Sequence, residues 1–334
     1  MLVVRPAGPA DLDDLYELAV RSGRGFTSLP EHEPTLRERL RVSELSFSGA
    51  LPPQECWYTL MLEDTAAGEV LGVSGVHAAV GIKRPFFSFR VVTLAQSSSI
   101  IGLRFDHRAL VLVNECTGWT EVGSLFLKPE RRQGGAGRLL AQSRYMMIGA
   151  EPERFNEMVL AELRGWFDAD DHAPFWDHVA SKFFRLPFDE ADRMSASTDG
   201  QFILDLAPRH PIYLELLPQA ACESVGRVHK DGAAAQAMLV SEGFRNAGLV
   251  DIFDAGPTVS CPREDIRTVR DALSRRVRIA DAQGERVGLL STAVMESFRA
   301  VRGAVGVTDE HAVIGAETAE ALKLRDGDAI RVKL

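Results

Sequence analysis

The chain has 334 residues, of which 46% are hydrophobic and 25% are charged, and its formal net charge is −9. This length and composition are typical of a globular protein with two or three domains. The acidic balance and the lack of a run rich in Lys and Arg argue against nucleic acid as a partner.

The four cysteines are scattered, and none lies at the spacing of a zinc site or a disulfide framework, so we expect no metal site. The N-terminus lacks the basic start and long apolar region of a secretory signal. No stretch approaches the run of about 20 apolar residues that spans a bilayer. We therefore expect a cytoplasmic protein that does not bind a membrane.

Five segments near the start of the chain have the pattern of regular elements. They are predicted as a strand at 2–5, a helix over 12–19, a helix from Thr35, and the two strands of a hairpin at 57–63 and 70–80. Thr35 and Glu38 have the spacing of a capping box, which predicts the start of the second helix. Two more β-rich pieces, at 87–94 and 109–114, cannot be placed from periodicity alone.

A glycine-rich loop follows the short apolar strand at 122–127 and precedes an apolar helical pattern. The loop, Arg132-Gln133-Gly134-Gly135-Ala136-Gly137, contains three glycines, which lack the Cβ that would block close approach of a ligand. The free amides at the start of a helix attract anions. The arrangement predicts a phosphate site, with a surface loop that binds no ligand as the alternative.

Two common phosphate-binding motifs do not fit this loop. A P-loop needs a Lys followed by Ser or Thr, and the third glycine of a Rossmann fingerprint is missing. Arg132, Gly135 and Gly137 instead resemble the RxxGxG/A signature with which N-acyltransferases of the GNAT type hold the pyrophosphate of coenzyme A.

Further strand and helix patterns follow the loop. They are predicted as a strand at 158–163, a helix over 174–184, a short strand at 225–228 that ends at His229, a helix over 232–242 and a strand at 249–253. The repetition of strand–helix units suggests an internal duplication whose halves exchange strands. Past 260, short strands at 275–279, 287–290, 312–315 and 329–334, with a turn at Ala282-Gln283-Gly284, predict a small β-barrel.

Six short motifs between about residues 3 and 260 resemble those of the arginine N-succinyltransferases. They are Gly25–Pro30 (GFTSLP), Ala161–Gly165 (AELRG), Pro174–Trp176 (PFW), His210–Tyr213 (HPIY), Gly243–Arg245 (GFR) and Asp251–Thr258 (DIFDAGPT). Arg24, where a small residue is usual, and Lys230-Asp231-Gly232 depart from the family pattern. The departures concern substrate choice more than reaction type.

The resemblance implies an acyltransferase that moves succinyl from succinyl-CoA to the α-amine of L-arginine in arginine catabolism, with no permanently bound cofactor. It marks His229 as the proton donor, a role that suits histidine because its pKa lies near neutrality; His210 is a rival for which we favour a structural role. It also implies that the backbone of Leu125 and Leu127 holds the pantetheine arm. Arg132, Gly135, Ala136 and Gly137 would then hold the phosphates.

The substrate contacts are expectations from charge. A guanidinium prefers a carboxylate in bidentate geometry, for which Glu162 and Asp251 are candidates, and the succinyl carboxylate requires a cation such as Arg90 or Arg164.

The fold implied is an α+β, GNAT-like mixed sheet in duplicated tandem halves with a small C-terminal β-barrel. The divisions are 1–185 with the CoA loop, 186–260 with His229, and 261–334 for the barrel. Two alternative functions stay open: an acyltransferase for ornithine or another amine, and a CoA-binding regulatory subunit. The partners expected are the two small-molecule substrates and either a second copy of the chain or a related subunit.

Overall fold

The structure is a computed structural model that describes residues 1–23, 25, 26, 28–197, 200–280 and 286–334. Arg24 and the turn at Ala282-Gln283-Gly284 therefore lie outside the described residues. The strands are β1 Leu2–Pro6, β2 Trp57–Asp64, β3 Glu69–His77, β4 Ser88–Ser98, β5 Leu103–Val113, β6 Thr120–Leu127, β7 Met158–Glu162, β8 Ile212–Tyr213, β9 Arg245–Val250, β10 Pro257–Pro262, β11 Leu273–Ile279, β12 Arg286–Thr292, β13 Ala300–Val307, β14 His311–Ile314 and β15 Ala329–Lys333. The helices are α1 Leu12–Ser22, α2 Glu33–Phe47, α3 Ala136–Ala150, α4 Ser181–Phe184, α5 Phe188–Ser197, α6 Gln201–Leu206, α7 Gln219–Ser224, α8 Ala233–Glu242, α9 Arg267–Asp271 and α10 Ala316–Leu322.

The strands form one continuous mixed sheet in the order β8-β5-β4-β9-β10-β7-β6-β3-β2-β1, which continues through β13 into the C-terminal strands. β6 and β7 are parallel, whereas their outer neighbours β3 and β10 pair with them antiparallel. The two β-rich pieces that periodicity could not place are β4 and β5, a long hairpin that pairs over eleven positions.

The C-terminal strands close into a five-stranded barrel, as predicted. Their order is β13-β14-β11-β15-β12, and pairing of β12 with β13 completes the ring. Val277, Leu290, Val301, Ile314 and Ile330, each at most 1% exposed, pack in its core. β13 escaped the sequence prediction because its small residues and two glycines give little strand signal.

Helices cover the two faces of the central sheet. Leu139 and Leu140 of α3 pack in one core with the inward side chains of β2 and β6. Leu18 of α1 and Leu36 of α2 pack against the other face in a separate cluster. The site described below lies at the edge of the sheet where β6 and β7 end, and it extends onto the face that α1 and α2 cover.

Three local predictions require correction. The second helix begins at Glu33 rather than Thr35, and the Oγ1 of Thr35 instead contacts the Nδ1 of His32 at 2.8 Å. The segment 225–228 is not a regular strand, because Gly226 has a φ of +74° and Val228 forms an isolated bridge with Gly165.

The third correction concerns β9 and β10. The strand predicted at 249–253 is β9, which ends at Val250, and β10 was not predicted at all. β10 pairs with β7 and β9, while β9 also pairs with β4. Strands from after residue 186 are therefore inserted beside strands from the first half of the chain. The domain divisions and the duplication stay predictions.

Candidate active site

The glycine loop between β6 and α3 has the backbone of an anion-binding turn. Gly134 and Gly135 have φ values of +70° and +82°, which L-residues with a side chain rarely adopt. α3 begins immediately afterwards, at Ala136, and runs for 15 residues. A Cβ placed on Gly134 or Gly135 would meet no atom within 4 Å, so the space in front of the helix N-terminus is open.

Arg132 is anchored beside this loop. Its Nε donates to the carbonyl oxygen of Leu127 at 3.2 Å, and its guanidinium carbon lies 5.8 Å from the ring centre of Phe126. The side chain is exposed, so the positive charge is available to a ligand at the loop. Gly137 is the second residue of α3, and a Cβ there would approach the Cδ2 of Leu127 to 3.8 Å.

β6 and β7 separate beyond their first residues. They pair at Thr120 with Val159 and at Glu121 with Leu160, and the described residues show no further pairing between them. A bulge interrupts the pairing of β6 with β3 near Ser124, whose φ is +50°. The backbone of Leu125 therefore borders an opening between the two strands that a polar, extended ligand arm could enter.

His229 lies at the end of β7. Its backbone N–H donates to the carbonyl oxygen of Arg164 at 2.8 Å, and its ring packs edge-on against Phe167 with 5.7 Å between ring centres. Because parallel strands end at the same edge of a sheet, the extension of β7 and the loop that follows β6 lie at one edge. The residue is 5% exposed.

The ring of His229 presents Nε2 as a donor. The backbone N–H of Asp231 donates to Nδ1 at 3.2 Å, so the neutral ring has its proton on Nε2. Burial and the charge of Arg164 lower the pKa of His229, and the Asp231 carboxylate, 3.6 Å from Nδ1, opposes them. The departure Lys230-Asp231-Gly232 thus forms the short turn that fixes the ring.

Asp254, which the sequence analysis did not single out, holds the chain at the end of β7 in place beside His229. The carboxylate of Asp254 accepts the backbone N–H groups of Gly165 and Gly256, both at 2.7 Å. A Cβ on Gly256 would lie 2.0 Å from the carbonyl oxygen of Leu163, so only glycine fits there. The signals that could have found these contacts were the glycines and Asp254 of the AELRG and DIFDAGPT motifs.

Four carboxyl groups from different strands and loops lie close together on the α1–α2 face. They are Glu121, Glu162, Asp251 and Asp254. Burial raises the pKa of each; it raises that of Glu162 well above its ordinary value, with help from the other three charges, and that of Asp254 to about 8.

A small pocket adjoins this cluster. Its lining residues are Trp57, Gly75, His77, Glu121, Gly123 and Ser124. Ser28, from the loop between α1 and α2, closes one side, and its carbonyl oxygen accepts the Ser124 hydroxyl at 2.8 Å. Burial and nearby positive charges lower the pKa of His77 to about 4, so this ring is neutral near pH 7.

Comparison with known proteins identifies the family. The family model described as "Arginine N-succinyltransferase beta subunit" matches residues 2–268, and the model of its C-terminal domain matches 274–333. The chain belongs to the arginine N-succinyltransferase family.

Individual relatives match over nearly the whole chain. Proteins named arginine N-succinyltransferase from Yersinia pestis (strain Pestoides F) and Escherichia coli (strain 55989 / EAEC) are each 37% identical, with 99% of this chain and 97% of the relative covered. The solved structure of arginine/ornithine succinyltransferase subunit AI from Pseudomonas aeruginosa is 33% identical and superimposes with a TM-score of 0.91 over 99% of this chain and 98% of that one. The predicted family and its acyltransferase class are confirmed.

Most of the site residues predicted from the sequence, whether by resemblance or by charge, fall into two groups. His229, Arg164 and the glycine loop lie at one edge of the sheet, and Glu162 and Asp251 lie together within the acidic cluster. Arg90, by contrast, is engaged by Glu115 at 2.6 Å and by the carbonyl oxygen of Ala247 at 3.3 Å. His210 is exposed.

A surface turn carries three metal-ligand types of side chain, but one of them is already used by the backbone of the turn. Asp168, Asp170 and His172 bring ligand-type atoms within 4.8 Å of one another, but Asp168 accepts the backbone N–H groups of the other two and so closes the turn. We assign no metal to it. Within the described ranges, no helix has the length and apolar character needed to cross a membrane.

Proposed function

We propose that this chain transfers the succinyl group of succinyl-CoA to the α-amine of L-arginine. The observation that carries the proposal is the position of His229 beside Arg164. Both lie at the edge of the sheet where β6 and β7 have separated, which is also the edge from which the glycine loop leaves β6. A thioester held in that opening would bring its carbonyl group to the side of the sheet on which His229 lies.

In this proposal the donor is held by backbone groups and one cation. The amides at the start of α3 and the Arg132 guanidinium bind the pyrophosphate, with Gly135, Ala136 and Gly137 leaving room for it. The unpaired backbone at Leu125, together with Leu127, binds the pantetheine arm as a further strand would. No cofactor needs to be bound permanently, because succinyl-CoA is a substrate.

The reaction is direct attack. The neutral amine nitrogen forms a bond to the thioester carbon, the C–S bond breaks, and the amide nitrogen loses one proton while the sulfur gains one. In the charged ring of His229, the Asp231 carboxylate accepts Nδ1–H while Nε2–H is given to the leaving sulfur, which returns the imidazole to its neutral form. Holding both substrates together contributes the remaining acceleration through positioning.

Charged residues of the site are proposed to bind the charged ends of the two substrates. Of the two carboxyl groups expected at the guanidinium, Glu162 is the better placed for direct contact, because Asp251 already accepts the backbone N–H groups of Phe253 and Asp254. Arg164, adjacent to His229, is better placed than the engaged Arg90 for the succinyl carboxylate. We further propose a GNAT-like arrangement with duplicated halves divided at 185 and 260, and a cytoplasmic location.

The Pseudomonas aeruginosa protein is named for both arginine and ornithine and as a subunit, which favours two alternatives for this chain. One is activity on ornithine, and the other is a role that requires a second copy or a related subunit. Purified chain alone should be incubated with succinyl-CoA and arginine, ornithine or Nα-acetylarginine while thiol release is followed and the products are identified by mass. Arginine turnover, with none for the blocked amine, supports the proposal; turnover of ornithine alone, or none without a related chain, supports an alternative.

A further inference from the structure

Two paired glycines form the floor of the pocket on the α1–α2 face. Gly75 of β3 lies directly opposite Gly123 of β6. Neither has a positive φ, so backbone conformation does not require glycine at either position. A Cβ on Gly75 would lie 3.4 Å from both the Ser124 Oγ and the Trp57 Nε1, and a Cβ on Gly123 would lie 3.4 Å from the Glu121 Oε1. The missing side chains therefore create the space, which we call the glycine trough (Trp57, Gly75, His77, Glu121, Gly123).

The walls of the glycine trough differ in chemistry. Trp57 and His77 stack on one side with 4.5 Å between ring centres and 28° between ring planes. Glu121 pairs with His77 across the strands, and Glu162 lies two residues beyond Leu160, the partner of Glu121 on β7. Side chains alternate along a strand, so Glu121 and Glu162 project from the same face.

Buried polar atoms on the strands beside the glycine trough lack a partner. The Trp57 Nε1, the Thr59 Oγ1 and the Thr258 Oγ1 are buried and have no hydrogen-bond partner in the part of the chain that the structure describes. Thr59 is 2% exposed and pairs with Gly75 of the trough, whereas Thr258 is 0% exposed and pairs with Glu162 on β7. Leaving such groups unpaired is costly, and the two hydroxyl oxygens can accept from a cationic ligand, whereas the Trp57 N–H can only donate.

We propose that the glycine trough binds the cationic end of the amine acceptor, with Glu121 and Glu162 as its carboxylate partners. A planar guanidinium can donate to two carboxylates at once. The Trp57 ring is already in contact with His77, stacked at 4.5 Å, and with the Arg39 guanidinium carbon, 4.4 Å from the ring centre, so recognition of the cation rests on the two carboxylates. Asp251 and Asp254 are less suited to direct contact, because their carboxylates already accept backbone N–H groups. Arg39 and Arg84 favour the ionised form of Glu121, and a cation bound between the two carboxyl groups favours the ionised form of both, whose pKa values burial raises when the trough is empty.

The length of the site favours a long acceptor. Leu125 lies four positions beyond Glu121 on β6, so at about 3.3 Å per residue the two are at most roughly 13 Å apart along the strand, and the bulge near Ser124 shortens this distance. An acceptor whose cation lies at Glu121 must therefore extend along the strand for its amine to reach a thioester near Leu125. This inference rests on the proposed function, since it takes the reacting end from that proposal.

The test compares arginine with citrulline, its neutral isostere, in Glu121→Gln, Glu162→Gln and Gly123→Ala. The Gln variants remove charge with little change in volume, and Gly123→Ala narrows the trough without altering charge. Initial rates are measured with both acceptors at saturating succinyl-CoA, and arginine binding is measured separately by calorimetry. Glu157→Gln, an exposed carboxylate just before β7, is the matched control.

We expect each Gln variant to lower kcat/KM for arginine by roughly 10- to 100-fold while changing that for citrulline much less, because a lost hydrogen bond to a charged group has an effect of that size. Gly123→Ala should weaken both acceptors, and Glu157→Gln should alter neither. Equal losses for arginine and citrulline in the Gln variants, or no loss at all, would overturn the assignment.

The calorimetric measurement separates this inference from the proposed function. If the unmodified protein binds arginine but does not succinylate it, the proposed function fails. Loss of that binding in Glu121→Gln and Glu162→Gln would then still support the trough. If arginine binds equally well to all variants, the trough assignment fails whether or not the protein is active.

Discussion

The backbone N–H of His229 donates to the carbonyl oxygen of Arg164 at 2.8 Å, which fixes the imidazole to the end of β7. The neighbouring Gly165 is itself held by the carboxylate of Asp254 at 2.7 Å. The position of the candidate proton donor therefore depends on a carboxylate that does not touch its ring.

Replacing His229 should separate proton transfer from binding. We expect His229→Ala and His229→Gln to lower kcat by about 10²–10⁴-fold while leaving the Kd for succinyl-CoA nearly unchanged, because a general acid acts in the transition state. Steady-state rates and calorimetry provide the measurements, and the exposed His210→Ala is the matched control. Near-normal turnover in both His229 variants, or substantial activity in the Gln variant alone, would remove His229 from proton transfer.

The pKa of His229 should respond to its two charged neighbours in opposite directions. Burial and Arg164 place it below the ordinary value of 6.5, the Asp231 carboxylate raises it and Lys230 lowers it. Asp231→Asn should therefore lower the pKa further, and Lys230→Gln should raise it. Titration of the histidine ring protons by NMR, with His229→Gln to assign the signal, measures both shifts; movement in the same direction would contradict this electrostatic account.

The acidic cluster should make folding stability fall with rising pH. Unfolded carboxyl groups ionise near pH 4, whereas burial keeps protons on Glu162 and Asp254 to higher pH, with a pKa of about 8 for Asp254. Between those values the folded state holds more protons, so raising the pH favours unfolding.

This fall in stability is best measured between pH 6.5 and about 8. Below the ordinary histidine pKa of 6.5, the lowered pKa values of His77 and His229 make stability rise with pH and so oppose the effect of the carboxyl groups. Denaturant unfolding across this window should give a shallower slope for Glu162→Gln than for the unmodified protein. Glu157→Gln should leave the slope unchanged, and equal slopes in all three proteins would argue against buried, protonated carboxyls.

The glycine loop can be tested with two alanine substitutions of different character. Gly135→Ala places a methyl group in the open space before the helix, so it should weaken succinyl-CoA binding by roughly tenfold or more, equivalent to about 1.4 kcal/mol. It should also lose roughly 1–2 kcal/mol of stability because its φ is +82°. Gly68→Ala, with a φ of +65° in the β2–β3 turn, should show the stability loss alone. Gly137→Ala, at the position where the RxxGxG/A signature accepts either residue, should fold normally and keep its affinity. Unchanged affinity in Gly135→Ala would place the pyrophosphate elsewhere.

The sequence by itself determined the features that depend on neighbouring residues. The glycine loop before α3, the β2–β3 hairpin and most barrel strands follow from local periodicity and turn chemistry, and the family motifs marked His229. Helix and hairpin signals are contained within a few residues, so one sequence is enough to read them.

Only the tertiary structure decided which distant residues meet. The insertion of β10 beside β7, the hydrogen bond between Asp254 and Gly165, and the grouping of Glu121 with Glu162 join segments far apart in the chain. Such pairings leave no period in the sequence, and β10 has too few alternating residues to show one. The raised carboxyl pKa values were equally hidden, because they arise from burial and from neighbours that only the folded chain brings together.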